Sequence, residues 1–130
     1  MPNQTYALEW LYLANRNLQT ARLLIREKHF TDSIAIEIQQ TIEKSFKTIY
    51  AYYGISIPKT HEWTILFNFV KDKIQLEEID IEVIITISDY YQTDRYPGPR
   101  YIVPSRVEVE LFFIFAEQLY AKIEEHILTW

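Results

Sequence analysis

The chain has 130 residues, 48% apolar and 15% aromatic, enough for one continuous core, and no cysteine, which excludes a disulfide scaffold and thiolate-bound zinc. Its formal charge of -5 argues against non-specific binding to a polyanion, a mode that needs a broad cationic surface. Charge-free stretches such as Val83 to Ser88 and Leu111 to Ala116 fall far below the roughly 20 residues of a membrane span. Met1 to Thr5 also lacks the basic flank and apolar run of a secretory leader, so a cytoplasmic protein of one domain, residues 1–130, is expected.

In chain order, Trp10, Leu13, Ala14, Leu18, Ala21, Leu24 and Ile25 recur at helical period between Tyr6 and Lys28, with Asn15, Arg16, Gln19, Arg22 and Arg26 opposite them. A break at His29 to Asp32 offers Thr31 and Asp32 as N-caps for a second helix, whose stripe is Ala35, Ile38, Ile42, Phe46, Ile49 and Tyr53 and whose stop is Gly54. Pro58 prevents continuation, Thr60 offers the next cap, and Trp63, Leu66, Phe67 and Val70 mark a shorter third helix. From Ile79 to Tyr91, Ile79, Ile81, Val83, Ile85 and Ile87 alternate as a strand does. A lone strand in a helical chain has no partner, and Val83, Ile84, Ile87, Tyr90 and Tyr91 also fit one helical face, so a helix is expected.

Ser105 followed by Glu108 has capping-box spacing and opens the last helix, with Val107, Leu111, Ile114, Phe115, Gln118, Leu119, Ile123 and Ile127 as its stripe. Short connections favour antiparallel neighbours, so the sequence predicts an all-α, up-and-down four-helix bundle with an additional short helix.

Between the last two helices lies Arg95-Tyr96-Pro97-Gly98-Pro99-Arg100-Tyr101, which restricts the backbone and presents two guanidinium groups five residues apart. Arg95 and Arg100 can hold phosphate by forked hydrogen bonds, Tyr96 and Tyr101 can stack on a base, and Asp94 can orient Arg95. The structural reading is that Arg95 pairs with Asp89 or Asp94, and that Arg100 and Arg106 lie in solvent beside Glu108 and Glu110.

Taken in order, Trp10 with Ala14, Leu18 and Ala21, then Ile38-Gln39-Gln40-Thr41-Ile42-Glu43-Lys44-Ser45-Phe46-Lys47, then Thr60-His61-Glu62-Trp63, then Asp94-Arg95-Tyr96-Pro97, the blocks resemble the HEPN domain family along nearly the whole chain. The resemblance implies a helical bundle, commonly dimeric, that often works beside a minimal nucleotidyltransferase in toxin–antitoxin or RNA-targeting defence systems. Its ribonuclease members carry an Arg followed after four to six residues by His, just before the last helix. Arg95 matches the Arg, but Arg100 follows after four residues and no His lies between Arg95 and Glu125, so the motif is broken.

Metal-independent RNA cleavage needs a base for the 2′-hydroxyl and a cation for the phosphorane. Guanidinium serves only as the cation, and a tyrosine of pKa about 10 is a poor base at pH 7. The Tyr that receives AMP in some toxin members falls on Ile102 here, one residue from Tyr101. Hence a dimeric nucleotide- or RNA-phosphate-binding module is expected first, with no cofactor. A ribonuclease toxin using Arg95 and His61 comes second, and a purely structural interaction module third. His29 and His126 read as exposed helix-end residues, Lys44 and Lys47 as a solvated charged face, and the three histidines lack the spacing of a metal site.

Overall fold

The computed structural model describes residues 3–59, 63–77, 80–87 and 103–128. Helix α1 (Gln4–Arg26) starts on Asn3, whose side-chain oxygen accepts the Tyr6 N–H at 3.0 Å and so satisfies a first-turn donor. At its end the His29 N–H reaches the Leu24 carbonyl at 2.9 Å and the Lys28 N–H that of Ile25 at 3.0 Å, with Lys28 at φ 53° in the left-handed region. This is a Schellman closure without glycine.

Helix α2 (Thr31–Tyr52) begins directly after that closure, so its cap is Phe30 and neither Thr31 nor Asp32 as the sequence suggested. Asp32 instead stands in the first turn, where its carboxylate accepts the Ser33 N–H at 3.0 Å and meets the positive end of the helix dipole. Gly54 stops α2 as expected. At φ 66° it lets the Ile55 N–H reach Tyr50 at 3.0 Å and its own N–H reach Ala51 at 3.2 Å.

Helix α3 (Trp63–Lys73) is short, and the following segment is helical over 80–87, named α4. Ile84 and Ile87 are 2% and 0% exposed while Ile85 is 49% exposed, which separates residues that a strand would place on one face. The capping box of α5 (Arg106–Leu128) forms: the Glu108 N–H donates to Ser105 Oγ and the Ser105 N–H to Glu108 Oε1, both at 3.1 Å.

Side-chain contacts fix the helix directions. Lys44 donates to Asn17 at 2.7 Å and Lys47 lies over the Trp10 ring, so α2 runs antiparallel to α1. Gln4 bonds the Ile127 carbonyl at 2.9 Å and Arg22 pairs with Glu117 at 2.7 Å, so α5 is also antiparallel to α1. Asp80 lies near Lys122 and Ile87 near Gln39, which sends α4 against both α2 and α5. The four helices α1, α2, α4 and α5 therefore alternate up and down, with α3 as the additional short helix packed on α2. All described elements are helical, and among the described residues no helix is long and apolar enough to cross a membrane.

The core centres on α2. Phe46 packs edge-on against Trp63, with centroids 6.1 Å apart, and at a tilt on Phe67 at 6.0 Å, while Tyr50 Oη donates to the Leu66 carbonyl at 3.0 Å. Thr41, Ser45 and Thr48 are wholly buried and turn their hydroxyls back to the carbonyls of Glu37, Thr41 and Lys44 at 2.7–2.9 Å, which makes small polar residues tolerable inside the bundle.

Two expected stripes hold in part: Ala14, Leu18 and Ala21 of α1 and Phe115, Leu119, Ile123 and Ile127 of α5 are buried as expected, while other members are displaced. The inward face of α1 is Ala7, Leu11, Ala14, Leu18 and Ala21, and Leu13 faces outward. The core face of α5 is Val109, Phe112, Phe115, Ala116, Leu119, Ile123 and Ile127, whereas Val107, Leu111, Ile114 and Gln118 are exposed.

Candidate functional site

Asp94, Arg95, Tyr96, Arg100, Tyr101 and His61 all lie outside the described residues. What is described is the frame on either side of the basic segment. At one side α4 ends against α2, where Gln39 Nε2 donates to the Ile87 carbonyl at 3.4 Å from a wholly buried position, with its Oε1 unpartnered among the described residues. At the other, Ser105 and Glu108 lock the first turn of α5. There Arg106 Nη2 donates to the His29 carbonyl at 2.9 Å, and its Nη1 is buried without a hydrogen bond among the described residues. Arg106 is thus tied across the bundle end to the α1–α2 connection instead of standing in solvent.

The Gln-Gln-x-x-Glu-Lys block resolves into helix-to-helix ties. Gln39 holds α4, and Lys44 holds Asn17 of α1, which itself donates to Glu37 at 3.0 Å. Glu43 is 4% exposed and lies 3.7 Å from Lys47. Lys44 and Lys47 are half-buried in the α1–α2 seam, so the solvated charged face expected from sequence is not formed. The reason is that α2 is packed by α1, α3 and α5 together and has little surface to give to solvent.

The opposite end of the bundle holds a group that the sequence reading passed over. His126 is half-buried, not exposed, and its Nε2 lies 2.7 Å from Tyr53 Oη. Burial, followed by the neighbouring Lys73 ammonium, holds the imidazole below its ordinary pKa; burial, followed by Tyr52, raises the Tyr53 phenol. Both groups are therefore neutral at pH 7. The neutral phenol is the stronger donor, so the tautomer we assign has Tyr53 donating to Nε2 and the ring proton on Nδ1. Lys73 spreads its ammonium over Tyr53 at 4.7 Å and Phe69 at 5.4 Å. Beside them an open cavity of about 540 Å³ is lined by Lys73, Ile74, Gln75, Lys122, Glu125 and His126. No local spacing announces this cluster, because Tyr53, Lys73 and His126 come from three helices or their ends.

The fold and its two polar ends define a small helical-bundle protein. The same fold is seen in the crystal structure of TT1696 from Thermus thermophilus, at a TM-score of 0.76 and 23% identity over 92% of this chain and 97% of that one. It is seen again in the crystal structure of ST0689, an archaeal HEPN homologue, at 0.70 and 18% identity over 95% and 98%. No curated protein matches the chain. The HEPN domain model matches residues 7–126, and the chain belongs to the HEPN domain family.

Proposed function

We propose that this HEPN protein is a non-catalytic or weakly catalytic dimer that binds a nucleotide or RNA phosphate with the Arg95–Tyr101 segment and acts beside a minimal nucleotidyltransferase. One observation carries the reading: the segment leading into α5 keeps two arginines and two tyrosines but has no histidine where the family's ribonucleases place theirs. It retains the means to hold phosphate and lacks a base at the motif. Arg106 adds a third guanidinium at the start of α5, a few residues after Arg95 and Arg100 in sequence. A second copy is supported by Val107, Leu111, Ile114 and Gln118, exposed at heptad spacing, since pairing on that seam brings together the residues that lead into α5.

The test is cleavage of a labelled structured RNA in EDTA by wild type, Arg95→Ala and Arg100→Ala, with nucleotide binding followed on the same samples. Binding without cleavage, weakened about tenfold or more in each variant by loss of a charge-assisted contact, is expected. Cleavage that vanishes in Arg95→Ala replaces this reading with a ribonuclease toxin whose base comes from elsewhere, His61 or a partner copy. Neither activity leaves a structural interaction module.

A further inference from the structure

We propose that the cavity between Lys73 and His126 is a second binding site, distinct from the Arg95–Tyr101 segment, that takes a small phosphate monoester. It draws on three elements: Tyr53 just after α2, Lys73 and the following Ile74 and Gln75 from α3, and Lys122, Glu125 and His126 from α5. The cations are not equivalent. Lys122 lies 3.7 Å from the Asp80 carboxylate, which also accepts the Glu77 N–H at 2.9 Å and so is fixed in place. Lys73 has no ion pair among the described residues; its contacts are the faces of Tyr53 and Phe69, which orient the ammonium beside the cavity. An anion entering the cavity would pair with it.

The neighbours suit a phosphoryl group. Lys73 offers a point charge, Gln75 an amide, Lys122 a second ammonium, and His126 an imidazole held in orientation by Tyr53. The cavity volume of about 540 Å³ exceeds a bare phosphate several-fold, which leaves room for an organic residue. Ile74, only 7% exposed, supplies an apolar floor. Glu125 on the rim opposes an anion, so it limits affinity and gives the site a variant of opposite sign.

Binding also changes the protonation of His126. The groups facing it are Tyr52 and Tyr53 from α2 and its end, Lys73 from α3, and Lys122 and Glu125 from α5, with Asp80 of α4 engaged through Lys122. Without ligand, burial and then the Lys73 charge disfavour the imidazolium. A bound dianion reverses the sign of the local charge, so the imidazole takes up a proton more readily, and Nδ1 donates to the anion while the Tyr53 oxygen accepts from Nε2.

Calorimetric titration of the full chain with inorganic phosphate and with ribose 5-phosphate tests the site. Wild type is expected to bind ribose 5-phosphate more tightly than phosphate, with Kd below about 1 mM. Lys73→Met, a change at an exposed residue, should weaken both about tenfold or more at this site; Glu125→Gln should strengthen both, and in Arg95→Ala/Arg100→Ala, which removes any phosphate held by the basic segment, the Lys73-dependent site should remain. In parallel, NMR titration of the His126 ring should show its pKa rising when sulfate, a dianion across the range from pH 5 to 8, is added. The proposal is overturned by absence of binding, by Lys73→Met binding like wild type, by phosphate binding with ribose 5-phosphate excluded, or by a His126 pKa that sulfate does not move. Loss of binding in the arginine variant alone also overturns it and assigns the anion to the site proposed for function.

Discussion

Lys28 occupies a backbone conformation that costs an L-residue with a β-carbon about 1 kcal/mol or more relative to glycine, yet α1 depends on it for its closing bonds to Ile25 and Leu24. Lys28 is exposed, so replacing it removes no core contact. Lys28→Gly is expected to stabilise the protein by about 1 kcal/mol, read as a rise of about 3 °C in melting temperature, with part of the gain offset by the greater freedom of glycine in the unfolded chain. An unchanged or lower melting temperature would show that the bonds at the end of α1 tolerate lysine without strain. Ends of this local kind were readable from sequence where the residue type was the usual one: Gly54 and the Ser105–Glu108 box each sit where their spacing put them. The α1 closure was not readable, because lysine gives no signal for the left-handed region. His126 was missed for a different reason: its partner Tyr53 is 73 residues away in sequence and Lys73 stands on a third helix. Because the imidazole's pKa is depressed in the folded state, its neutral form adds stability that is complete above the unfolded value of about 6.5 and is lost as pH falls towards the folded value. Thermal melts of wild type should therefore fall from pH 7 to 5, and by less in His126→Asn; equal slopes in the two proteins would refute this coupling.

At the scale of the helix, the phase of a hydrophobic stripe decides which residues meet. Ala7, Ala14 and Ala21, each 0% exposed, repeat every seven residues on α1 and alternate with buried Leu11 and Leu18, and α1 is held to α2 by Lys44, Glu37 and Lys47. A wholly buried alanine in that seam leaves no room for a large side chain. Ala14→Leu is expected to destabilise the bundle by about 2 kcal/mol through overpacking, visible as a lower urea midpoint at unchanged m value; a midpoint within error of wild type would show that the seam has room to spare. The sequence reading takes Leu13 and leaves out Leu11, a residue of the same bulk, because Trp10, Leu13 and Ala14 also fit the i, i+3, i+4 spacing of a helical face, and the small residues on α1 carry little hydrophobic signal. It also merged two faces of α5. Both are apolar at helical spacing, one turned to α2 and the other outward, and a single chain viewed alone cannot say which apolar face its own core will take.

At the scale of the molecule, the HEPN fold was legible because the blocks that carry the family resemblance are mostly packing residues wherever they are described: Ala14, Leu18 and Ala21 in the core, Gln39 and Lys44 as ties from α2 to α4 and α1, Trp63 against Phe46. The proposed phosphate-binding segment offered no such check, since its value depends on where two guanidinium groups come to rest and what stands opposite them. What stands opposite is a question of assembly. The outward face of α5 places Val107, Leu111 and Ile114 at 67%, 59% and 48% exposure in the a/d rhythm of a coiled-coil seam, followed by Gln118, Ala121 and Glu125, so its apolar part covers the first turns of the helix and fades towards the His126 end. A two-fold pairing centred there joins the bundle ends next to the basic segment and leaves the His126 cavity open. Such a contact must bury about 1,000 Å² in total to be stable in solution, so flanking residues have to join the three apolar ones. Light scattering after gel filtration is expected to give a dimer for wild type and a monomer for Leu111→Glu, with circular dichroism unchanged because Leu111 is outside the core. Tyr12→Glu, at a 62% exposed position on the outer face of α1, should remain dimeric. A monomeric wild type, or a dimer that survives Leu111→Glu but not Tyr12→Glu, would remove α5 from the interface and with it the reason to expect two basic segments side by side.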